Sequence, residues 1–274
     1  MWHDTRAEIT KLLRRPASWL LLAVALVLSL TFGYLVPYAG YAAGTSGPPS
    51  SDRGLAAMLP GEVVGSATGG MPVFVGALAL VFGVLAVGSE YGWETWKTVL
   101  AQGSSRLSVY GAKVVAVALG TLVLVVSLFA VAAAASAVVA LVEDQPLAWP
   151  ATTDLLVGLG AGWLVTTMWA SLGVLLAVLL RSVALPIGLG LVWLLAVQNL
   201  LTAIAAPLLD WVAQMQKGLP GPNAGSLVAS LGASPATPGV DALVGSGQAT
   251  MVIAAYLVAF TFAGGWLLAR RDIG

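Results

Sequence analysis

The chain contains no cysteine and a single histidine, His3. Without thiols there is no disulfide, no thiolate metal site and no cysteine nucleophile. One imidazole excludes a multi-histidine zinc centre, and His3, beside Asp4 near the start, reads as an ordinary solvated side chain rather than a metal ligand. Charge is scarce as well, at 9% of 274 residues, against about 25% in a soluble domain. Twelve Lys and Arg balance twelve Asp and Glu, so no net basic field draws nucleic acid.

Catalytic motifs are missing too. There is no Gly-x-x-x-x-Gly-Lys-[Ser/Thr] phosphate loop, and none of Lys11, Lys97, Lys113 or Lys217 follows a glycine, so the chain has no ATP site of its own. No Gly-x-Ser-x-Gly nucleophile elbow occurs. The run Gly158-Leu-Gly-Ala-Gly162 lies in an apolar stretch without a preceding strand, where small residues serve close helix approach rather than a dinucleotide. No catalytic residue and no metal ligand is assigned.

What the chain has is apolar length. Hydrophobic residues make up 59% and the mean hydropathy is +0.94, so a water-soluble globule is excluded. Uncharged runs reduce to six predicted spans near residues 17–37, 72–89, 110–141, 153–180, 183–206 and 249–269, each long enough for a hydrocarbon core of about 30 Å. Their continuous apolarity, without alternation, selects helices over a barrel. The first run follows a basic start, as in a signal peptide, but exceeds the usual apolar length of one and reads as a retained span. The fold class is an all-α membrane protein, a single transmembrane domain over 1–274 with no internal repeat.

Lys and Arg set the expected orientation. Arg6, Lys11, Arg14, Arg15, Lys97, Arg106, Lys113, Arg181, Arg270 and Arg271 fall on one side of a six-span topology, and only Arg53 and Lys217 on the other. The positive-inside rule then places both termini in the cytoplasm of a plasma (inner) membrane protein. Outer loops rich in Gly, Pro and Ser are expected at Gly44–Ser51 and Gly218–Gly225, with 207–248 forming an extracellular loop.

Two polar stretches stand out. Over 2–15 an amphipathic helix is expected, with Trp2, Ile9, Leu12 and Leu13 on one stripe and Asp4, Glu8, Lys11 and Arg15 largely opposite, its basic face toward anionic lipid. Pro16 breaks the chain before the first span. Between spans two and three, the inner loop places Trp93, Trp96 and Leu100 on one helical face and Glu90, Glu94 and Lys97 on others. Gly103 is placed to end that helix and Ser104 or Ser105 to start the next.

Three segments resemble the ABC-2 family of ATP-binding-cassette permeases. They are Glu8-x-x-Lys11-x-x-Arg14-Arg15-Pro16, the loop Glu90-Tyr-Gly-Trp-Glu-Thr95 with Lys97, Leu100, Ser105-Arg106, Tyr110 and Lys113, and the tail Ala269-Arg-Arg-Asp-Ile273. The resemblance implies an exporter half with an elbow helix at 2–15 and a cytoplasmic coupling helix at about 90–103. Two such subunits, identical or related, would pair, each docking a separate nucleotide-binding subunit that carries ATP and Mg, with no cofactor on this chain. Coupling would fall to Glu90, Tyr91, Trp93, Glu94, Thr95 and Lys97, with Arg106 and Lys113 supporting the loop. The family's small outer helical element would lie in 207–248, where Leu208, Trp211, Val212 and Met215 share an apolar face.

No charged residue falls in the core of a predicted span, which disfavours coupling to an ion gradient. Thr166, Gln198, Asn199 and Thr202 are the candidate pathway residues, with interhelical hydrogen bonding as the competing role. A weakly polar pathway suits an amphipathic, lipid-like or drug-like cargo. The alternatives are an ATP-independent channel or secondary transporter, and a non-transporting membrane anchor or sensor.

Overall fold

The computed structural model describes residues 2–44, 54–92 and 105–270. They form helices and turns, with no strand among the described residues. In chain order the helices are α1 (Trp2–Arg14), α2 (Pro16–Ala43), α3 (Val63–Thr68), α4 (Phe74–Gly92), α5 (Arg106–Val142), α6 (Thr152–Leu180), α7 (Ala184–Leu208), α8 (Asp210–Met215), α9 (Pro220–Ala229) and α10 (Ser246–Arg270). Six of these, α2, α4, α5, α6, α7 and α10, are long and apolar enough to cross a membrane. α1, the end of α4 and the start of α5 lie at one end of the bundle, called here the α1 end.

The centre is the pair α4 and α6, and glycine makes it possible. A Cβ at Gly83 would fall on the carbonyl of Ala170, and one at Gly173 on that of Leu80. The two backbones therefore touch where any side chain would part them. Trp169, fully buried, fills the next gap against Gly76. Gly158 and Gly162 work in the same way, admitting Val64 and Phe129 at the first and Met71 and Val125 at the second. A Thr121–Thr167 hydroxyl contact of 2.8 Å and a bond of 2.8 Å from Trp163 Nε1 to the Ala118 carbonyl join α5 to α6.

α2 and α7 are peripheral, and most of their apolar surface faces outward. Both depart from regular α geometry. Thr31–Leu35 in α2 is a π turn closed by the Val36 N–H on the Thr31 carbonyl. It precedes Pro37, which has no N–H to offer the carbonyl four residues back, so the wider turn carries the helix past the gap. In α7, π turns at Val192–Val197 and Leu201–Ala205 precede Pro207.

The opposite end differs from its sequence expectation. The Gly- and Pro-rich stretch 218–225 is not a loop. It enters α9, whose residues are almost all buried. Pro220 and Pro222 lie in the first turn, where a helix leaves its N–H groups unbonded anyway, so their missing donors cost nothing. Residues 55–73 likewise fold back as short turns and α3, burying Met58, Val63 and Met71. These two inserts meet where Gly65 rests on the Gly232 backbone, and within the second Gly225 rests on the Gly239 carbonyl. Gly239 has φ +83° and lies against Val73, a position no side chain could take. The face expected at Leu208, Trp211, Val212 and Met215 does not pack as one. The backbone is extended at Leu209 (φ −136°, ψ 109°), which separates Leu208 from α8, and Val212 alone of the four is buried.

Polar contacts of Tyr38 and Ser226 close this end. Tyr38 donates to Glu143 Oε1 at 2.7 Å, tying α2 to the end of α5. Ser226, buried on α9, donates to the Asp241 carbonyl and accepts from the N–H groups of Leu243 and Val244, steering the chain into α10.

Candidate functional site

At the α1 end the break before the first span is as expected. α1 stops at Arg14, Arg15 is extended (φ −83°, ψ 120°), and Pro16 starts α2. The direction of α1's polar face is not as expected. Asp4, Glu8, Lys11 and Arg15 contact polar groups of the protein. Asp4 Oδ2 accepts from the Ser108 hydroxyl at 2.8 Å, and Arg15 Nη1 donates to the Leu85 carbonyl at 2.9 Å. His3, Arg6, Thr10 and Arg14 remain on the exposed side. The reason is tertiary: the ends of α4 and α5 present charges that pair with those on this face of α1.

Those charges are Glu90 and Lys113. Lys113 Nζ lies 2.8 Å from Glu8 Oε2 and 3.0 Å from Glu90 Oε1. Lys11 Nζ lies 2.8 Å from Glu8 Oε1 and 3.1 Å from the same Glu90 oxygen. Two ammonium groups and two carboxylates thus alternate in a closed ring. Residue exposure is 1% for Lys113, 2% for Glu90 and 6% for Glu8. A buried charge of this kind is tolerated only when paired and hydrogen-bonded, and here each member has two opposite partners. Burial works against charging Lys11, but its hydrogen bond and attraction to Glu8, with those to Glu90, outweigh it. The Lys11 pKa is held above the ordinary lysine value.

The ring's position in the chain gives it a role. Glu90 lies in the last turn of α4 and Lys113 in the second turn of α5. Both flanks of the connecting segment 93–104 are therefore fastened to α1. Of the residues expected to couple, Trp93, Glu94, Thr95 and Lys97 lie outside the described residues, as does Gly103. Tyr91 is half-buried against the core, and Arg106 opens α5. Ser105, one of the two expected starts, caps α5 by accepting the Ser108 N–H at 3.2 Å. One turn on, Tyr110 donates to the Thr261 carbonyl of α10 at 2.8 Å and sits against Gly264 and Gly265.

The four candidate pathway residues make hydrogen bonds within their own helices or to α9. Thr166 donates to the Gly162 carbonyl, Asn199 to that of Leu195 and Thr202 to that of Gln198, each within its own helix. Gln198 is buried, and its Oε1 accepts the Gly221 N–H at 3.2 Å, holding the first turn of α9 against α7.

Glu8 and Lys11 are not among the residues that the sequence assigns to coupling. Their spacing of three was the available signal, because it places both on one helical face. Nothing local announced that Lys113 would reach back to them.

A search among curated proteins finds no match. A family model described as "ABC-2 family transporter protein" matches residues 5–197, more than two thirds of the chain. The matched region takes in nearly all of α1, the whole ion ring and the first four spans. With that match, six membrane-length helices and a charged junction at one end, the chain belongs to the ABC-2 family of transporter membrane proteins.

Proposed function

We propose that this permease subunit belongs to an ATP-driven exporter of the plasma (inner) membrane, with both termini in the cytoplasm. A separate nucleotide-binding subunit supplies ATP hydrolysis, and two permease subunits, identical or related, form the pathway. The cargo is amphipathic, lipid-like or drug-like. The observation that carries this reading is the ion ring, which binds both flanks of segment 93–104 to α1.

ATP binding closes the partner subunits on one another and favours one arrangement of the segment they grip. Because Glu90 and Lys113 are ionically joined to Glu8 and Lys11, displacement of the segment drags α1 and the ends of α4 and α5 together. Glu94, Thr95, Lys97 and Trp93 supply the contact with the partner, and Arg106 and Tyr91 brace its ends. ATP and Mg remain on the partner.

The test is co-expression with the nucleotide-binding subunit, followed by vesicle transport of a fluorescent amphiphile. Glu94→Lys is expected to abolish ATP-dependent accumulation while membrane insertion and ATP hydrolysis persist. Nucleotide-independent flux through the lone chain would support a channel instead, and a partner without ATPase activity would support an anchor or sensor.

A further inference from the structure

A cavity of about 360 Å³ lies at the end of the bundle away from α1. Its walls are the π-turn region of α2, residues 57–75 and the loop 232–238. The volume is within the range that holds a small amphiphile. Along α2 the lining runs from Leu28 to Val36, about 12 Å of helix, so the cavity reaches from the bundle's end toward its middle. Leu128, fully buried, makes its deep surface apolar, and Phe32 and Phe74 line its outer part. Phe32 and Phe74 are themselves exposed, so the cavity communicates with the outward side of α2.

Among the described residues, charge enters at a single point. Glu62 is the one charged residue lining the cavity among those described. Its carboxylate leans toward the opposite wall, where a Cβ on Gly232 would lie 3.7 Å from Oε2. No ion pair to Glu62 occurs among the described residues, whereas Glu143 is engaged by Tyr38. An apolar slot with a lone carboxylate at its rim repels anions and gives a neutral amphiphile no charge partner. It suits an apolar chain carrying a positive head.

We propose that this cavity binds a cationic amphiphile, its apolar part against Phe32 and Leu128 and its head at Glu62. The inference deepens the exporter reading by naming a cargo class, and it rests on that reading only for the physiological role. Gly33 supplies the means of testing it. It lines the cavity, and a Cβ placed there would meet nothing within 4 Å. A larger side chain can therefore fill the space without striking the backbone.

The full chain, reconstituted in lipid nanodiscs without any nucleotide-binding subunit, is titrated with dodecyltrimethylammonium and separately with uncharged dodecyl glucoside. Binding to empty nanodiscs is subtracted. The unaltered chain is expected to bind the cation saturably and more tightly. Glu62→Gln is expected to weaken the cation about five- to tenfold, a loss of about 1–1.4 kcal/mol, while leaving the glucoside unchanged. Gly33→Leu is expected to reduce binding of both. Equal effects of Glu62→Gln on both ligands, no effect of either variant, or no saturable binding overturns the proposal. Should Gly33→Leu fail to fold, Glu62→Lys at the exposed rim decides it: the cation must be lost and the glucoside kept. Absence of an ATPase partner would defeat the exporter reading and leave these outcomes untouched.

Discussion

Lys113 and Glu90 meet at 3.0 Å from helices on either side of segment 93–104, both shielded from solvent. The pair closes the connection between the second and third spans at its base. With Glu8 and Lys11 completing the ring, the base cannot open without uncovering buried charge.

Removing one cation should therefore be costly. Lys113→Met removes one of the ring's two cations while Glu8 and Glu90 stay buried, and is expected to destabilise the protein by about 3–5 kcal/mol. Adding Glu90→Gln should recover part of that loss, since it removes the excess negative charge. Thermal unfolding in detergent measures both. A single variant as stable as the unaltered chain would argue against the ring.

The ring should also respond to alkali. The Lys11 pKa is raised in the folded protein, so its contribution is complete below the ordinary lysine value and is lost as pH rises through the higher folded value. Spin labels at Ala7→Cys and Leu107→Cys, introduced into a chain that has no native cysteine, report the distance from α1 to α5. That distance is expected to hold from about pH 7 to about pH 10 and to broaden only above the ordinary lysine range. Broadening near neutrality would contradict the direction of the shift.

Gly264 should tolerate no side chain while Tyr110 is present, because a Cβ there would strike the Tyr110 hydroxyl. Gly264→Ala is expected to cost about 1–3 kcal/mol. Tyr110→Phe alone loses the bond to the Thr261 carbonyl, about 1 kcal/mol. The double variant should cost less than the sum, because the second change removes the clash created by the first. Additive losses would show that the two residues do not share this contact.

Gln198→Leu separates the two roles considered for that residue. Loss of the bond to the Gly221 N–H is expected to cost about 0.6–2 kcal/mol and to raise hydrogen exchange at the start of α9. If transport falls while exchange in α9 is unchanged, Gln198 belongs to the pathway instead.

The six membrane-length helices were legible in the sequence because hydrocarbon leaves a spanning segment little choice: it must be apolar, long and internally hydrogen-bonded. The break at Arg15-Pro16, the cap at Ser105 and the close approach at Gly158 and Gly162 were legible for a related reason, since each depends on local chemistry. Tertiary structure alone decided which face of α1 turns inward. Amphipathicity distinguishes two faces of a helix but not which neighbour each meets, and the deciding contacts join Lys113 to Glu8 across 105 residues and to Glu90 across 23. It also decided that the Gly- and Pro-rich stretch entering α9 is buried. Composition marks such a segment as a turn when it stands in water, but glycine's lack of a side chain lets backbones close to contact once another segment supplies the opposing surface.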